Sequence, residues 1–456
     1  MSPRSRIVND LIFPLDAIRS GEWAKIRYLK EFEKTQYASL EELSEIRLTR
    51  LKALLEHAYQ ECPFYTEAFD RHKVSPKDLN SLEDLARFPR VTKQDIQANK
   101  EAMVAKNWPE EDLVADLTGG STGTPLSFYY SRDRKYSRAA ATIRHNRWAG
   151  WDVPDRAAIL WGAASDIPPK PPLKSRLRQL FLDQHLLLNA GHLTEERMAS
   201  FHEKIKDFRP KVFLAYANVM TLFAKFLKAQ GGEVYRPESI ITSAEVLEEK
   251  DRKLIEEVFG CPVFNRYGCR EVSVIASECD RHTGLHVMAE GIFVEVLGAK
   301  EGESGTQGPL LITDLMNHAM PLIRYRIGDV GEWESGTCDC GRALPRLKKL
   351  AGRVTDFLLG MDGRLVSGAA LTIAVVAKRP SLGQIQIIQD KKGWLHFNIN
   401  PGDGFDFDSD TAYLREAAEH HLGKGMQSEF AVVSEIPRTK SGKFLFSKSS
   451  LVLDQF

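Results

Sequence analysis

At 456 residues, with 43% apolar and 27% charged side chains, the chain is neither disordered nor fibrous and is too long for one hydrophobic core, so at least two domains are expected. Its 62 basic and 62 acidic residues cancel, which removes any global electrostatic reason to expect nucleic acid or an anionic membrane as the main partner. No stretch approaches the roughly 20 apolar residues that span a bilayer, and the N-terminal apolar patch, broken by Asp10, Pro14 and Asp16, does not read as a signal peptide.

In chain order, "IRLTRLKALLEHAY" places Leu48, Leu51, Leu54 and Leu55 at helical spacing and predicts an amphipathic helix over 46–59. The next segment opens on Ser81 three residues before Asp84, close to a capping-box arrangement. A proline-rich, basic stretch, "DIPPKPPLKSRLRQ", reads as an exposed loop, with a site for an anionic partner as the alternative. From about 140 to 330, short apolar runs such as "RAAILWGA", "KVFLAYA", "ESIITSAE" and "CPVFNRYG" alternate with helical patterns, the rhythm of an α/β domain whose strand ends carry the site. Between about 285 and 334 the texture turns to β, as in a small meander or barrel, with turn-rich spacers such as "GAKEGESGTQG". The last hundred residues read β-β-α-β, from "QIQIIQ" and "WLHFNIN" through "TAYLREAAEHHLG" to "SEFAVVSEI". The expected fold is therefore α/β, with a large N-terminal domain of mixed sheets plus a small barrel and a small α+β C-terminal lid.

The stretch "LTGGSTGTPLSFYYSRD" concentrates backbone N–H groups and hydroxyls able to face an anion. It is not a Walker A loop, because Thr124 and Pro125 follow Gly123 where Gly-Lys-Ser/Thr is needed; alone it is equally a plain glycine-rich turn. Four further stretches follow in order: "YGCREVS", "IRYRIGDVG", "AGRVTDFLLGMDGRL" and "PRTKSGKF". With these five motifs the chain resembles the adenylate-forming superfamily of acyl-CoA synthetases and adenylation domains. Within it the likeness is to the phenylacetate-CoA ligase group and its capsular-polysaccharide relatives, and it runs from "LLEHAYQECPFYTEAF" onward.

The resemblance implies that ATP activates a carboxylic acid as acyl-adenylate, with pyrophosphate released, and that the acyl group then passes to CoA. Thr118, Gly119, Gly120, Ser121, Thr122 and Gly123 are implied to cradle phosphates, although Leu126 stands where the family often has lysine. Glu271 matches the Mg²⁺ ligand, and Tyr267 the adenine-stacking residue, with Ser243, Ala244, Glu245, Asn265, Arg266 and Gly268 around the nucleotide. Asp329 matches the ribose-binding carboxylate, Arg353 the residue reaching the ribose or α-phosphate, and Lys443 the lysine that completes adenylation. Lys443, Glu271 and Thr122 are thus the implied catalytic groups. Asp356 matches a hinge between residues 1–352, the AMP-binding domain, and 353–456, the lid. Trp161, Gly162, Tyr216 and Ala217 end predicted strands and are candidates for the acyl pocket, with core packing the competing role. An aromatic or other apolar-bodied acid is the family expectation.

Six cysteines in a chain this long point to cytoplasmic thiols rather than a disulfide framework. "ECDRHTGLH" and "GTCDCGRALP" supply Cys279, His282, His286, Cys338 and Cys340, a set that suits tetrahedral structural zinc. The expected ligands are Cys279, His282, Cys338 and Cys340, with His286 as the alternative to His282 and unliganded thiols as the competing reading. Cys62, Cys261 and Cys269 read as buried packing residues. Two functional alternatives stand beside the CoA ligase. The segment "FLLGMDGRLVSG" departs from the phenylacetate-ligase pattern and, with the capsular likeness, favours transfer to an amine; a non-catalytic nucleotide-binding homologue is the other. The sequence leaves monomer and homodimer open.

Overall fold

The computed structural model describes residues 7–118, 126–161, 182, 184–190, 194–353, 357–363, 365–436, 446–449 and 451, without side chains at 351–353, 365, 367, 369, 370, 373, 374 and 377. A helical layer opens the chain: a π-helical turn Val8–Ile12, then α1 (Phe13–Arg19), α2 (Trp23–Thr35), α3 (Leu40–Glu61) and α4 (Pro63–His72). Pro14 lies in the first turn of α1, where a missing N–H leaves no bond unmade. A capping box starts α3, Ser39 N–H donating to Glu42 at 2.9 Å and Glu42 N–H to the Ser39 hydroxyl at 3.1 Å. Its Leu51, Leu54 and Leu55 are buried and Leu48 packs beside them, as the periodicity predicts.

Asp84 accepts from the Ser81 N–H at 2.8 Å, but the element it caps is only the short 3₁₀ turn Glu83–Arg87. The full capping box lies further on, Thr92 with Asp95, and starts α5 (Lys93–Met103). The strands β1 (Leu113–Leu117) and β2 (Ser127–Ser131) pair antiparallel on either side of the glycine-rich stretch and lead into α6 (Arg132–Trp148).

Parallel strands alternate with helices through β3 (Ala157–Trp161), β4 (His185–Asn189), α7 (Glu195–Phe208), β5 (Val212–Tyr216), α8 (Ala217–Gln230), β6 (Ser239–Ser243), α9 (Glu249–Phe259) and β7 (Val263–Cys269). The β-rich stretch then supplies β8 (Ser273–Glu278), β9 (Leu285–Val287), β10 (Ile292–Val296), β11 (Gln307–Asp314), β12 (Tyr325–Trp333) and β13 (Arg346–Arg353). This antiparallel meander is hydrogen-bonded to the parallel strands in one 11-stranded sheet, order β10-β11-β12-β13-β9-β8-β7-β6-β5-β3-β4. The direction reverses at β7–β8, where a Cβ on Gly268 would lie 2.5 Å from the Ser273 carbonyl oxygen, so only glycine fits that close turn.

Beyond residue 356 come β14 (Phe357–Leu359), β15 (Leu365–Ser367), α10 (Gly368–Lys378), β16 (Gln384–Gln389), β17 (Trp394–Asn400), α11 (Phe407–Leu422), β18 (Gln427–Val432) and β19 (Ser447–Ser449). The expected β-β-α-β run is β16–β17–α11–β18, within a four-stranded sheet ordered β18-β17-β16-β19. Ile385, Ile387, Leu395 and Phe397 alternate inward from β16 and β17 onto Leu414 and Leu422 of α11, a core of its own.

Candidate active site and metal cluster

Three quoted motifs, distant in sequence, converge where the sheet changes direction. Tyr267 near the end of β7 is buried, and its hydroxyl donates to Asp329 of β12 at 2.8 Å. Burial first, then the Asp329 carboxylate, push the Tyr267 hydroxyl well above its usual range, so it stays a neutral donor. Glu271, in the turn after β7, accepts from the Tyr325 hydroxyl at 3.1 Å. Burial and the Glu271 charge likewise raise Tyr325. Arg353 lies opposite Asp329 in the register of β12 and β13.

The Glu271 turn is held from behind by arginines on α6. Arg138 donates to the Arg270 carbonyl at 3.3 Å and to the Glu271 carbonyl, and its guanidinium lies 4.0 Å over the Tyr130 ring. Burial brings Arg138 down to about 10, still cationic at neutral pH. Arg134, fully buried, pairs with Asp314 at 2.9 Å and donates to the Val272 carbonyl at 3.3 Å. Neither arginine was singled out from sequence, because their partners are carbonyls and a carboxylate more than a hundred residues away. Tyr325 and Cys269 were also missed in this role: the Cys269 thiol, raised well above its usual range by burial and then by Glu271, sits beside that carboxylate rather than merely filling core. Cys62 and Cys261 are buried packing residues, their thiols pushed up by burial to about 12.

At the base of the glycine-rich stretch, Thr118 N–H donates to the Leu126 carbonyl at 2.9 Å, and Leu126 N–H to the Thr118 hydroxyl at 2.9 Å. Leu126 is fully buried in the main core, which accounts for an apolar side chain where a lysine was the family expectation. Asp116 of β1 lies 3.6 Å from Arg270, tying this base to the Glu271 turn. At the end of β6, Ser243 is buried and Ala244 takes a left-handed φ of 65°, while Glu245 accepts from Asn218 N–H at 2.9 Å. Asn265 N–H donates to Glu278 at 2.8 Å, and the buried Arg266 side chain is committed to Asn146 of α6. Trp161 and Tyr216 meet at the ends of β3 and β5 with ring centroids 4.1 Å apart, and Ala217 beside them is buried. Gly119, Gly120, Ser121, Thr122, Gly123, Gly162, Asp356, Lys443 and the proline-rich loop 166–179 lie outside the described residues.

The cysteine motifs do meet. The donor atoms of Cys279, His286, Cys338 and Cys340 all lie within 4.8 Å of one another. Cys279 Sγ and Cys338 Sγ are 3.8 Å apart, close to the ~3.8 Å edge of a tetrahedron with Zn–S bonds of about 2.3 Å. His286 Nε2 is 3.3 Å from Cys340 Sγ, while its Nδ1 faces the Leu344 carbonyl at 3.3 Å. That second contact makes Nδ1 the protonated nitrogen and leaves the Nε2 lone pair toward the thiols, the orientation a metal-binding imidazole needs. Burial holds His286 down at about 4, hence neutral.

His282, the expected ligand, is not in the cluster. It contacts Glu278 at 3.1 Å and packs on Phe264 with centroids 4.6 Å apart. Strand alternation gives the reason. Ser277 pairs with His286 across β8 and β9, so Cys279, two residues after Ser277, shares the His286 face, whereas His282 stands in the connecting turn.

Residues 358–450 match the family model described as the CapK C-terminal domain. Protein CapK of Staphylococcus aureus is 23% identical over 440 residues, 95% of this chain and 96% of that protein. Phenylacetate-coenzyme A ligase of Escherichia coli strain K12 is 28% identical over 338 residues, 72% of this chain and 75% of that protein. Among solved structures, 2-hydroxyisobutyryl-CoA ligase, in an open conformation with 2-HIB-AMP and CoA, superposes with a TM-score of 0.66 at 20% identity, covering 88% of this chain and 91% of that one. The resemblance to CapK and the phenylacetate-CoA ligases is borne out, and the fold is that of the adenylate-forming ligases.

Proposed function

We propose that this chain is an ATP-dependent acid–thiol ligase that makes an acyl-adenylate and transfers its acyl group to CoA. The observation that carries the reading is the convergence of Tyr267–Asp329 and Tyr325–Glu271 at the sheet reversal, in a fold and among relatives that include CoA ligases. In this reading the glycine-rich loop, Thr118 to Gly123, offers N–H groups and hydroxyls to the triphosphate. Tyr267 stacks on adenine in a slot completed by Ser243, Ala244, Glu245, Asn265, Arg266 and Gly268. Its neutral hydroxyl keeps Asp329 oriented to accept from the ribose hydroxyls, with Arg353 opposite.

Glu271 offers a hard oxygen donor of the kind Mg²⁺ takes, with one of its oxygens fixed by Tyr325 and the turn backbone held by Arg138. When bound, the ion supplies charge neutralisation on the phosphates. The substrate carboxylate attacks the α-phosphorus, the bond to the β-phosphate breaks, and pyrophosphate leaves; Lys443 bonds the two reacting groups as charge develops. Residues 353–456 then turn about Asp356 against residues 1–352, the CoA sulfur attacks the acyl carbon, and AMP leaves. Trp161 and Tyr216, already in contact, are offered with Gly162 and Ala217 as the wall for an aromatic or apolar acid.

An amine acceptor is the second reading, supported by the likeness of residues 358–450 to the CapK C-terminal domain and by the departure of the "FLLGMDGRLVSG" segment from the phenylacetate-ligase pattern. Supplying enzyme, ATP and a reactive acid with either CoA or amines separates the two by product. A thioester with AMP release supports the first reading, and an amide formed in preference to thioester replaces it. The four-residue cluster is proposed as a structural zinc site in a cytoplasmic protein, Cys279, His286, Cys338 and Cys340 being the ligands. Protein purified without added zinc should carry about one equivalent, and less than about a tenth would argue against the site.

A further inference from the structure

The N-terminal helices carry a feature that the active site does not use. Val8, Phe13 and Ala17 turn inward onto Ile26, Leu29 and Phe32, so the segment is folded against the body. The opposite side of the same segment presents Ile7, Leu11, Leu15 and Ile18, spaced four, four and three residues apart, each between 54% and 57% exposed. That spacing puts them in one stripe along the helical segment. Trp23, 47% exposed, follows the turn. On α2, Trp23, Arg27, Lys30 and Lys34 recur at intervals of four, three and four, all exposed, with Lys30 Nζ 5.9 Å over the Trp23 ring. Scattered exposed apolar residues are ordinary, but four in one stripe beside a tryptophan are not.

The charges around the stripe say what covers it. Among exposed residues from 7 to 34, Arg19, Arg27, Lys30 and Lys34 are basic and Asp10 alone is acidic. Arg27 has a partner, Asp133 at 3.7 Å. The nearby carboxylates are engaged inward, Glu31 with Arg50 and Glu33 with Arg147. A second copy docked two-fold on this face would set the same basic residues against one another. An anionic lipid surface matches both halves, taking apolar side chains at its acyl boundary, tryptophan at the interface and lysines over headgroups. No described helix is long and apolar enough to cross a membrane, so the contact is peripheral.

We propose that the outer face of residues 7–34 docks the protein peripherally on an anionic bilayer through Ile7, Leu11, Leu15, Ile18 and Trp23, flanked by Arg19, Lys30 and Lys34. The chain's balanced net charge conceals this local asymmetry. Flotation of the full chain with phosphatidylcholine vesicles, with and without phosphatidylglycerol, tests it. Binding is expected on the anionic vesicles and should weaken as salt rises. The pair Leu11→Glu with Leu15→Glu, and separately Lys30→Glu with Lys34→Glu, should each weaken binding at least about tenfold. Lys253→Glu, at an exposed position on α9, should leave it unchanged. Thermal unfolding midpoints should match the parent protein, because every altered side chain is exposed. Failure of the parent chain to float with anionic vesicles, equal binding to neutral ones, or indifference to the leucine substitutions would overturn the proposal. So would a dimer in sedimentation that those substitutions dissociate.

Discussion

The Glu271 carboxylate is useful to a cation only if its rotamer is held, and the Tyr325 hydroxyl donates to one of its oxygens at 3.1 Å. Tyr325→Phe keeps the ring in its buried slot and deletes only that donor. The Mg²⁺ concentration for half-maximal pyrophosphate release should then rise about tenfold or more, as loss of outer-shell partners does at metal sites, with little change in the ATP requirement. Tyr267→Phe should do the opposite, raising the KM for ATP through a freed Asp329 while the Mg²⁺ requirement stays. Titrating each variant against both ligands reads the split. Lys443→Ala should lower adenylate formation by about a hundredfold or more with ATP binding nearly intact, and near-normal pyrophosphate release would remove the lysine from the mechanism. Tyr267, Glu271 and Asp329 were legible because they stand in the motifs that carry the family resemblance, and the structure gives each a tyrosine–carboxylate partner. Tyr325 stood inside a quoted motif yet carried no such signal, since its partner lies 54 residues away. Arg134 and Arg138, buried on α6, carried no signal in the sequence for the same reason.

At the scale of elements, β8 and β9 select between two histidines. A face assignment along the hairpin places Cys279 with His286, and the sequence contained enough to find it once both strands and their turn were read. The cluster also ties elements together. Trp148 of α6 packs against His286 with centroids 5.7 Å apart, and its indole N–H donates to Gln36 at 2.9 Å. Arg342, just past the Cys338–Cys340 loop, lies 4.7 Å over Trp148 and donates to the same Gln36 oxygen at 2.9 Å. The Cys338–Cys340 loop, α6 and the end of α2 therefore share one contact set. Cys340→Ser should lose zinc and lower the unfolding midpoint by several degrees, on the order of the few kcal/mol a closed structural site contributes. His282→Ala should keep its zinc, because that ring only meets Glu278 and Phe264. Metal content with a thermal melt checks both.

For the whole molecule, the sequence indicated α/β strands followed by a β meander and a β-β-α-β tail, each of which is present. It did not indicate that meander and parallel strands form one continuous sheet, because strand neighbours across β9 and β13 depend on pairing between segments about 60 residues apart. That continuity brings Asp329 of β12 and Tyr267 of β7 to one place, while the elements beyond residue 356 pack a hydrophobic core of their own. The central claim is acid activation by adenylation, and ATP–pyrophosphate exchange across a panel of carboxylic acids tests it most directly. At least one acid should drive Mg²⁺-dependent exchange that Glu271→Gln abolishes. A protein that binds ATP yet exchanges no pyrophosphate with any acid, or whose exchange ignores the loss of the Glu271 carboxylate, would contradict the account.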